Sequence, residues 1–137
     1  MNTTGPILIV EDDEDDAELI AAVFKELGYS RKLIFQANGR DALQFLTATK
    51  IRTFLVISDI NMPLMNGYEL AQAVFDNPQL RLQAIPFVFF TTGDGKGTAS
   101  KAYQQPVQGL FRKPSTFSGY KDVLKQITAY WEVSLVI

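Results

Sequence analysis

The chain has 137 residues, 47% of them hydrophobic, a size and composition that suit one domain with a proper core rather than two. It contains no Cys and no His, which excludes disulfides, thiolate nucleophiles and imidazole as base, nucleophile or metal ligand. A formal net charge of -2, with no Lys/Arg block, argues against electrostatically driven binding to nucleic acid or to anionic membranes. The opening Met1 to Pro6 has no basic segment leading into a cleavable apolar one, and no apolar run reaches the roughly 18 residues needed to span a bilayer. The expectation is a soluble cytoplasmic protein, monomeric or weakly dimeric.

Ile7 to Val10 is a short apolar, β-rich run, as in a strand covered on both faces of a parallel sheet. Glu11 to Asp16 then holds six of the fifteen carboxylates, and Ile20, Val23, Phe24 and Leu27 recur at helical spacing up to Gly28. Acids near a helix N-terminus cap it and suit its dipole, which accounts for Asp13 to Asp16 but not for Glu11 and Asp12 at the strand end.

Arg31 to Gln36 gives a second strand, and Asn38-Gly39 opens a helix carrying Ala42, Leu43, Phe45 and Leu46. Thr53 to Ser58 is a third strand that ends at Asp59, with Pro63 and Gly67 fixing the loop before a helix that Asn77-Pro78 stops. Ile85 to Phe90 is a fourth strand, followed by Thr91-Thr92 and a glycine-rich loop, Gly93 to Gly97, and then a short weak helix ended by Pro106. Val107 to Arg112 is a brief fifth strand; Lys113-Pro114 follows, and a last helix from about Thr116 carries Tyr120, Val123, Leu124, Ile127 and Trp131. The apolar residues Ser134 to Ile137 have no assigned role.

Five strands alternating with five helices imply an α/β fold with a parallel sheet, right-handed crossovers and helices on both faces. In such sheets function gathers outside the carboxyl ends of the strands. Those ends carry Glu11 and Asp12, Asp59, Thr91 and Lys113. Clustered carboxylates repel one another and call for a cation, and oxygen ligands without His or Cys point to Mg²⁺. Mg²⁺ in turn suits phosphoryl chemistry, with Asp59 as nucleophile and the Lys113 ammonium and Thr91 hydroxyl holding phosphoryl oxygens.

In these motifs and their order the chain resembles the receiver domain of bacterial two-component response regulators over residues 7 to about 131. The resemblance implies a flavodoxin-like (βα)5 sheet in the order 2-1-3-4-5, and a stand-alone receiver spanning 1–137. It further implies that Asp12, Asp59 and the backbone carbonyl of Asn61 ligate Mg²⁺ directly, that Glu11 acts mainly through water, and that Lys113-Pro114 is a cis bond. The phosphoryl donor would be a phosphohistidine on a sensor histidine kinase or phosphotransfer protein, docking on the first helix around Ile20 and Phe24. The output would be altered affinity for a downstream protein, read from the face formed by the helix after Thr91, the Leu110 strand and the Tyr120 helix.

The chain departs from the family pattern at two places. Leu110 stands where an aromatic is usual, and Phe111 should point to the opposite sheet face. Any switch is therefore expected to rely on Thr91, the loop from Gly93 and the weak helix after it. Thr92 stands where a small residue is favoured and would narrow access to Asp59. Three other readings compete. A phosphatase of the haloacid dehalogenase type needs a general acid two residues after the nucleophile, where this chain has Asn61. A flavin-mononucleotide carrier needs a phosphate-binding loop after the first strand, where the acids from Glu11 would repel it. A receiver-like scaffold working without phosphorylation would be expected to lose the acidic pair, Asp59 or Lys113, and all are present.

Overall fold

Ile7 to Val10 are buried along their whole length, and the sheet is built outward from them. The computed structural model describes residues 5–93 and 98–135. Strand β1 (Ile7–Val10) pairs in parallel with β2 (Leu33–Gln36) on one side and β3 (Leu55–Ser58) on the other. β4 (Phe87–Thr91) lies against β3, and β5 (Gly109–Arg112) closes the far edge, which gives the order 2-1-3-4-5 that the resemblance implies.

Alternation along the strands divides the core in two. Leu8, Val10, Val56, Phe87 and Phe89 face α2 (Gly39–Ala48), α3 (Gly67–Asp76), α4 (Pro78–Gln83) and α5 (Thr98–Tyr103), through Ala42, Leu46, Leu70, Ala71, Leu80 and Ala102. Ile7, Ile9, Leu55, Ile57, Val88 and Phe90 face α1 (Glu14–Glu26) and α6 (Phe117–Val133), through Ile20, Val23, Phe24, Tyr120, Leu124 and Ile127. Leu110 packs on the first side and Phe111 on the second, as alternation requires.

Short polar residues start the helices. Asp13, Asn38, Asn66 and Thr116 each accept an amide of the first turn, and Asn66 and Glu69 form a reciprocal capping box. Six helices are found among the described residues rather than the five expected. Asn77 ends α3 and its side chain caps α4, where Pro78 sits at the first helical position. A proline after Asn therefore begins a helix here as well as stopping one. Strands β2 to β5 each start two residues later than expected, so Arg31, Thr53, Ile85 and Val107 lie ahead of them.

The Lys113-Pro114 bond is trans, because no cis peptide bond occurs among the described residues, and this corrects the cis expectation. Trans is the favoured X–Pro isomer by about 0.5–1 kcal/mol. From it the chain reaches the Thr116 cap of α6 while Lys113 still points into the site. Residues 94–97 of the glycine-rich loop, and Val136 and Ile137 of the tail, lie outside the described residues. No helix among the described residues is long and apolar enough to cross a membrane.

Candidate functional site

The parallel ladder sets the site by continuing one residue past the strands. Val10 is level with Ser58 and with Gln36, and Thr91 with Arg112. One step on, the Asp59 amide donates to the Val10 carbonyl at 2.9 Å, Glu11 to Gln36 at 2.9 Å, and Lys113 to Thr91 at 2.8 Å. Glu11 and Asp59 thus leave the adjacent strands β1 and β3, and Lys113 leaves β5, at one rim, with Thr91 at the end of β4 between the latter two.

Local chemistry then fixes the Asp59 loop. Its Oδ1 accepts the Ile60 amide at 2.7 Å, and the Ser58 hydroxyl donates to its carbonyl at 2.7 Å. Gly67 donates to the Ile60 carbonyl at 2.7 Å. A Cβ on Gly67 would lie 2.3 Å from the Asp59 carbonyl oxygen, so only glycine lets the start of α3 pass this close.

Lys113 is the centre of the charge arrangement. Its Nζ donates to Glu11 Oε1 at 2.5 Å, Asp16 Oδ2 at 2.8 Å and Asp59 Oδ2 at 3.0 Å, using all three N–H donors. Lys113 and Glu11 are each only 6% exposed, so water does little to solvate either charge. For Lys113, burial works against the charge, but the hydrogen bonds to Asp16 and Glu11 and the nearby Asp59 prevail and raise its pKa. For Glu11, burial outweighs the Lys113 hydrogen bond, the Asp59 charge adds to it, and the carboxyl is pushed up to about 7. Three carboxylates pair with this single ammonium, and exposed Asp12 adds a fourth beside Glu11 and Asp59.

One oxygen from each of Glu11, Asp12 and Asp59 lies within 4.8 Å of the others. These are hard oxygen donors carrying excess negative charge, with Asp12 at the solvent side, and they fit a divalent cation of the Mg²⁺ type. Glu11 also accepts the Asp13 amide through Oε2 at 3.1 Å, so both its oxygens already have protein partners. Asp59 likewise has one protein partner on each oxygen, the Ile60 amide and Lys113, and exposed Asp12 is the most open of the three carboxylates to an ion.

Beside these acids opens a cavity of about 490 Å³ lined by Ile60, Asn61, Tyr68, Thr91, Gly93, Thr98 and Lys101. Thr91 is buried, and its Oγ1 accepts the Gly93 amide at 3.3 Å. Asn61 and Thr92 are exposed, and partly buried Leu110 belongs to the packing beneath. Pro114 follows Lys113 without touching the acids by any hydrogen bond, since it has no donor.

Asp16 was not expected here. Its carboxylate joins Lys113 rather than the helix end, and Asp13 alone caps α1 by accepting the Asp16 amide at 3.0 Å. The signal was the excess of acids over what one cap needs. Tyr68 and Lys101 were missed as well, since nothing local relates the start of α3 to α5.

A doubly wound sheet with acids after β1 and β3, a hydroxyl ending β4 and a buried lysine after β5 defines a receiver-type signalling domain. The chain belongs to the response regulator receiver domain family, whose model matches residues 7–125. It is 30% identical over 129 residues to "Probable methanogenesis regulatory protein FilR2" of Methanothrix harundinacea, covering 91% of this chain and 82% of that protein. It is 27% identical over 135 residues to response regulator Rcp1 of Synechocystis, covering 95% and 90%. The crystal structure of the Mn²⁺-bound form of Rcp1 superposes with a TM-score of 0.82 at 26% identity, covering 97% of this chain and 99% of that one.

Proposed function

We propose that this receiver is a Mg²⁺-dependent phosphoacceptor whose phosphorylated residue is Asp59. The observation that carries the reading is the placement of the Asp59 carboxylate. It stands at the end of β3 between the Lys113 ammonium at 3.0 Å and the Glu11 and Asp12 carboxylates. An Asp59 oxygen forms the new O–P bond as the P–N bond of a donor phosphohistidine breaks, and the imidazole leaves with a proton from solvent. Lys113 keeps its charge and turns an N–H from Asp59 to a phosphoryl oxygen, and the Thr91 hydroxyl donates to another. Glu11, Asp12, Asp59 and the carbonyl of Asn61 would hold the Mg²⁺, which supplies neutralisation of the phosphoryl charge. The existence of a Mn²⁺-bound form of Rcp1 supports a divalent ion for this chain as well.

The partners of this reading are a sensor histidine kinase or histidine phosphotransfer protein as donor, and a downstream protein whose affinity the phosphoryl group alters. The chain acts in the cytoplasm as a signalling protein rather than as an enzyme with its own free substrate. The phosphatase alternative is disfavoured because Asn61 cannot protonate a leaving alcohol.

Intact-mass measurement after incubation with phosphoramidate tests this. Wild-type protein with Mg²⁺ gains one phosphoryl group, while wild type with chelator and Asp59→Asn with Mg²⁺ do not. Equal labelling of wild type and Asp59→Asn would remove Asp59 from the role.

A further inference from the structure

Leu110 offers no aromatic that could turn toward the site, and the cavity beside Asp59 contains a different device. Tyr68, in the first turn of α3, stacks edge-on against buried Phe89 with ring centroids 5.5 Å apart. The Lys101 ammonium of α5 lies 4.9 Å from the centre of the Tyr68 ring. Both residues line the cavity that Thr91 and Asn61 also line, and Lys101 is the one cationic residue among those lining it. α5 is only six residues long, and Ala102 is its single buried side chain. Ala102 seats this helix on the core, and the contact of Lys101 with Tyr68 adds a weak second hold.

We propose that Lys101 is a phosphoryl-sensing cation: it rests on the Tyr68 ring in the unphosphorylated protein and turns into the shared cavity to pair with the phosphoryl group, drawing α5 with it. The proposal rests on Asp59 being the phosphoacceptor. A phosphoryl group brings about -1.5 to -2 of charge and strong acceptor oxygens to a rim that is otherwise already engaged. Lys113 divides its three N–H groups among Glu11, Asp16 and Asp59, so beside the Mg²⁺ it has one to turn to the phosphoryl group, and Lys101 is the further cation within the cavity lining. An exposed cation over a tyrosine face is held weakly, and a charge-assisted hydrogen bond to a phosphoryl oxygen is the stronger of the two. Lys101 is exposed and can make the exchange without losing a buried partner. The pair joins α3, which begins where the Asp59 loop ends, to α5, so the device links the site to an exposed helix without residue 110.

The test is amide hydrogen exchange over Thr98 to Tyr103 of the full chain, with and without Mg²⁺ and beryllofluoride as phosphoryl mimic, alongside intact mass after phosphoramidate. Wild type and Lys101→Arg should show a change of exchange in α5 on adding the mimic, and Lys101→Met should not, although it still takes up phosphoryl at Asp59. Lys101→Met should also bind beryllofluoride about tenfold more weakly. Tyr68→Leu removes the resting contact, so α5 should exchange about two- to fivefold faster before any mimic is added. A wild-type response in Lys101→Met, with Asp59 labelled, overturns the proposal alone. No label on wild type overturns the Asp59 reading, and this proposal with it.

Discussion

Lys113 and Gly67 show how single residues determine what Asp59 can do. Lys113 divides one ammonium among Glu11, Asp16 and Asp59, so Asp59 holds only a share of it. On the proposed reading, this partial hold leaves the carboxylate available to an incoming phosphorus. Gly67 acts through the backbone, because any side chain at that position meets the Asp59 carbonyl at 2.3 Å and the Ile60 Cα at 2.8 Å. Neither of those atoms can yield as a flexible side chain would. Gly67→Ala is therefore expected to lower stability by about 1–3 kcal/mol, as overpacking does, and to slow labelling of Asp59 by shifting its loop. Urea unfolding of the two proteins checks the first part. An unchanged midpoint would show that the loop tolerates the methyl group and that Gly67 does not set the Asp59 position.

Among the elements, α6 is tied to the opposite end of the sheet by a clasp of its own. Glu132 accepts Arg31 Nε at 2.8 Å and a terminal guanidinium nitrogen at 2.9 Å, and the Tyr29 hydroxyl at 2.5 Å. Arg31 also donates to the Gly5 carbonyl at 3.0 Å and lies 3.6 Å over the Phe54 ring. The hydrogen bond from Arg31 holds the Glu132 carboxyl below its ordinary value of 4.5, burial opposing it. A carboxylate whose folded pKa is depressed contributes stability that is present above its unfolded pKa and is lost as the pH falls through the folded value. Because the Glu132 side chain is 37% exposed, solvent screening limits the effect to about 1 kcal/mol. Glu132→Gln should thus unfold more readily than wild type at pH 7, and the gap should close as the pH falls below about 4.5. Denaturant titrations at the two pH values measure it, and a constant gap would mean that the charge of Glu132 is immaterial.

How far these elements could be read from sequence follows from what each depends on. The buried strands were legible because a parallel strand covered on both faces needs an unbroken apolar run, and Ile7 to Val10 and Phe87 to Phe90 have one. Glu11, Asp12, Asp59, Thr91 and Lys113 could be gathered at one rim for the same reason, since they follow those runs. α4 was missed because Asn77-Pro78 has the same composition whether a helix stops or starts there. Asp16 was hidden by a sufficient local explanation for acids in a first turn. The isomer of Lys113-Pro114 and the meeting of Tyr68 with Lys101 depend on long-range packing, and neither has a local signature.

At the scale of the whole molecule, the acids, the lysine and the hydroxyl share one end of the sheet, and the Arg31 clasp and the chain's single tryptophan lie toward the other. Trp131 lines a cavity of about 350 Å³ with Pro86, Phe87 and Pro106, at the start of β4, whereas the site follows the end of that strand. Its fluorescence is consequently a reporter of folding more than of the site. The central claim is that a phosphoryl group becomes bonded to Asp59, and reductive trapping tests it most directly. Borohydride converts an aspartyl acyl phosphate to homoserine, which peptide mass mapping locates. After incubation with phosphoramidate and Mg²⁺, homoserine should be found at position 59 alone, and not when Mg²⁺ is withheld. Homoserine at Asp12 or Asp16 in its place, or none despite a gain of phosphoryl mass, would contradict the account.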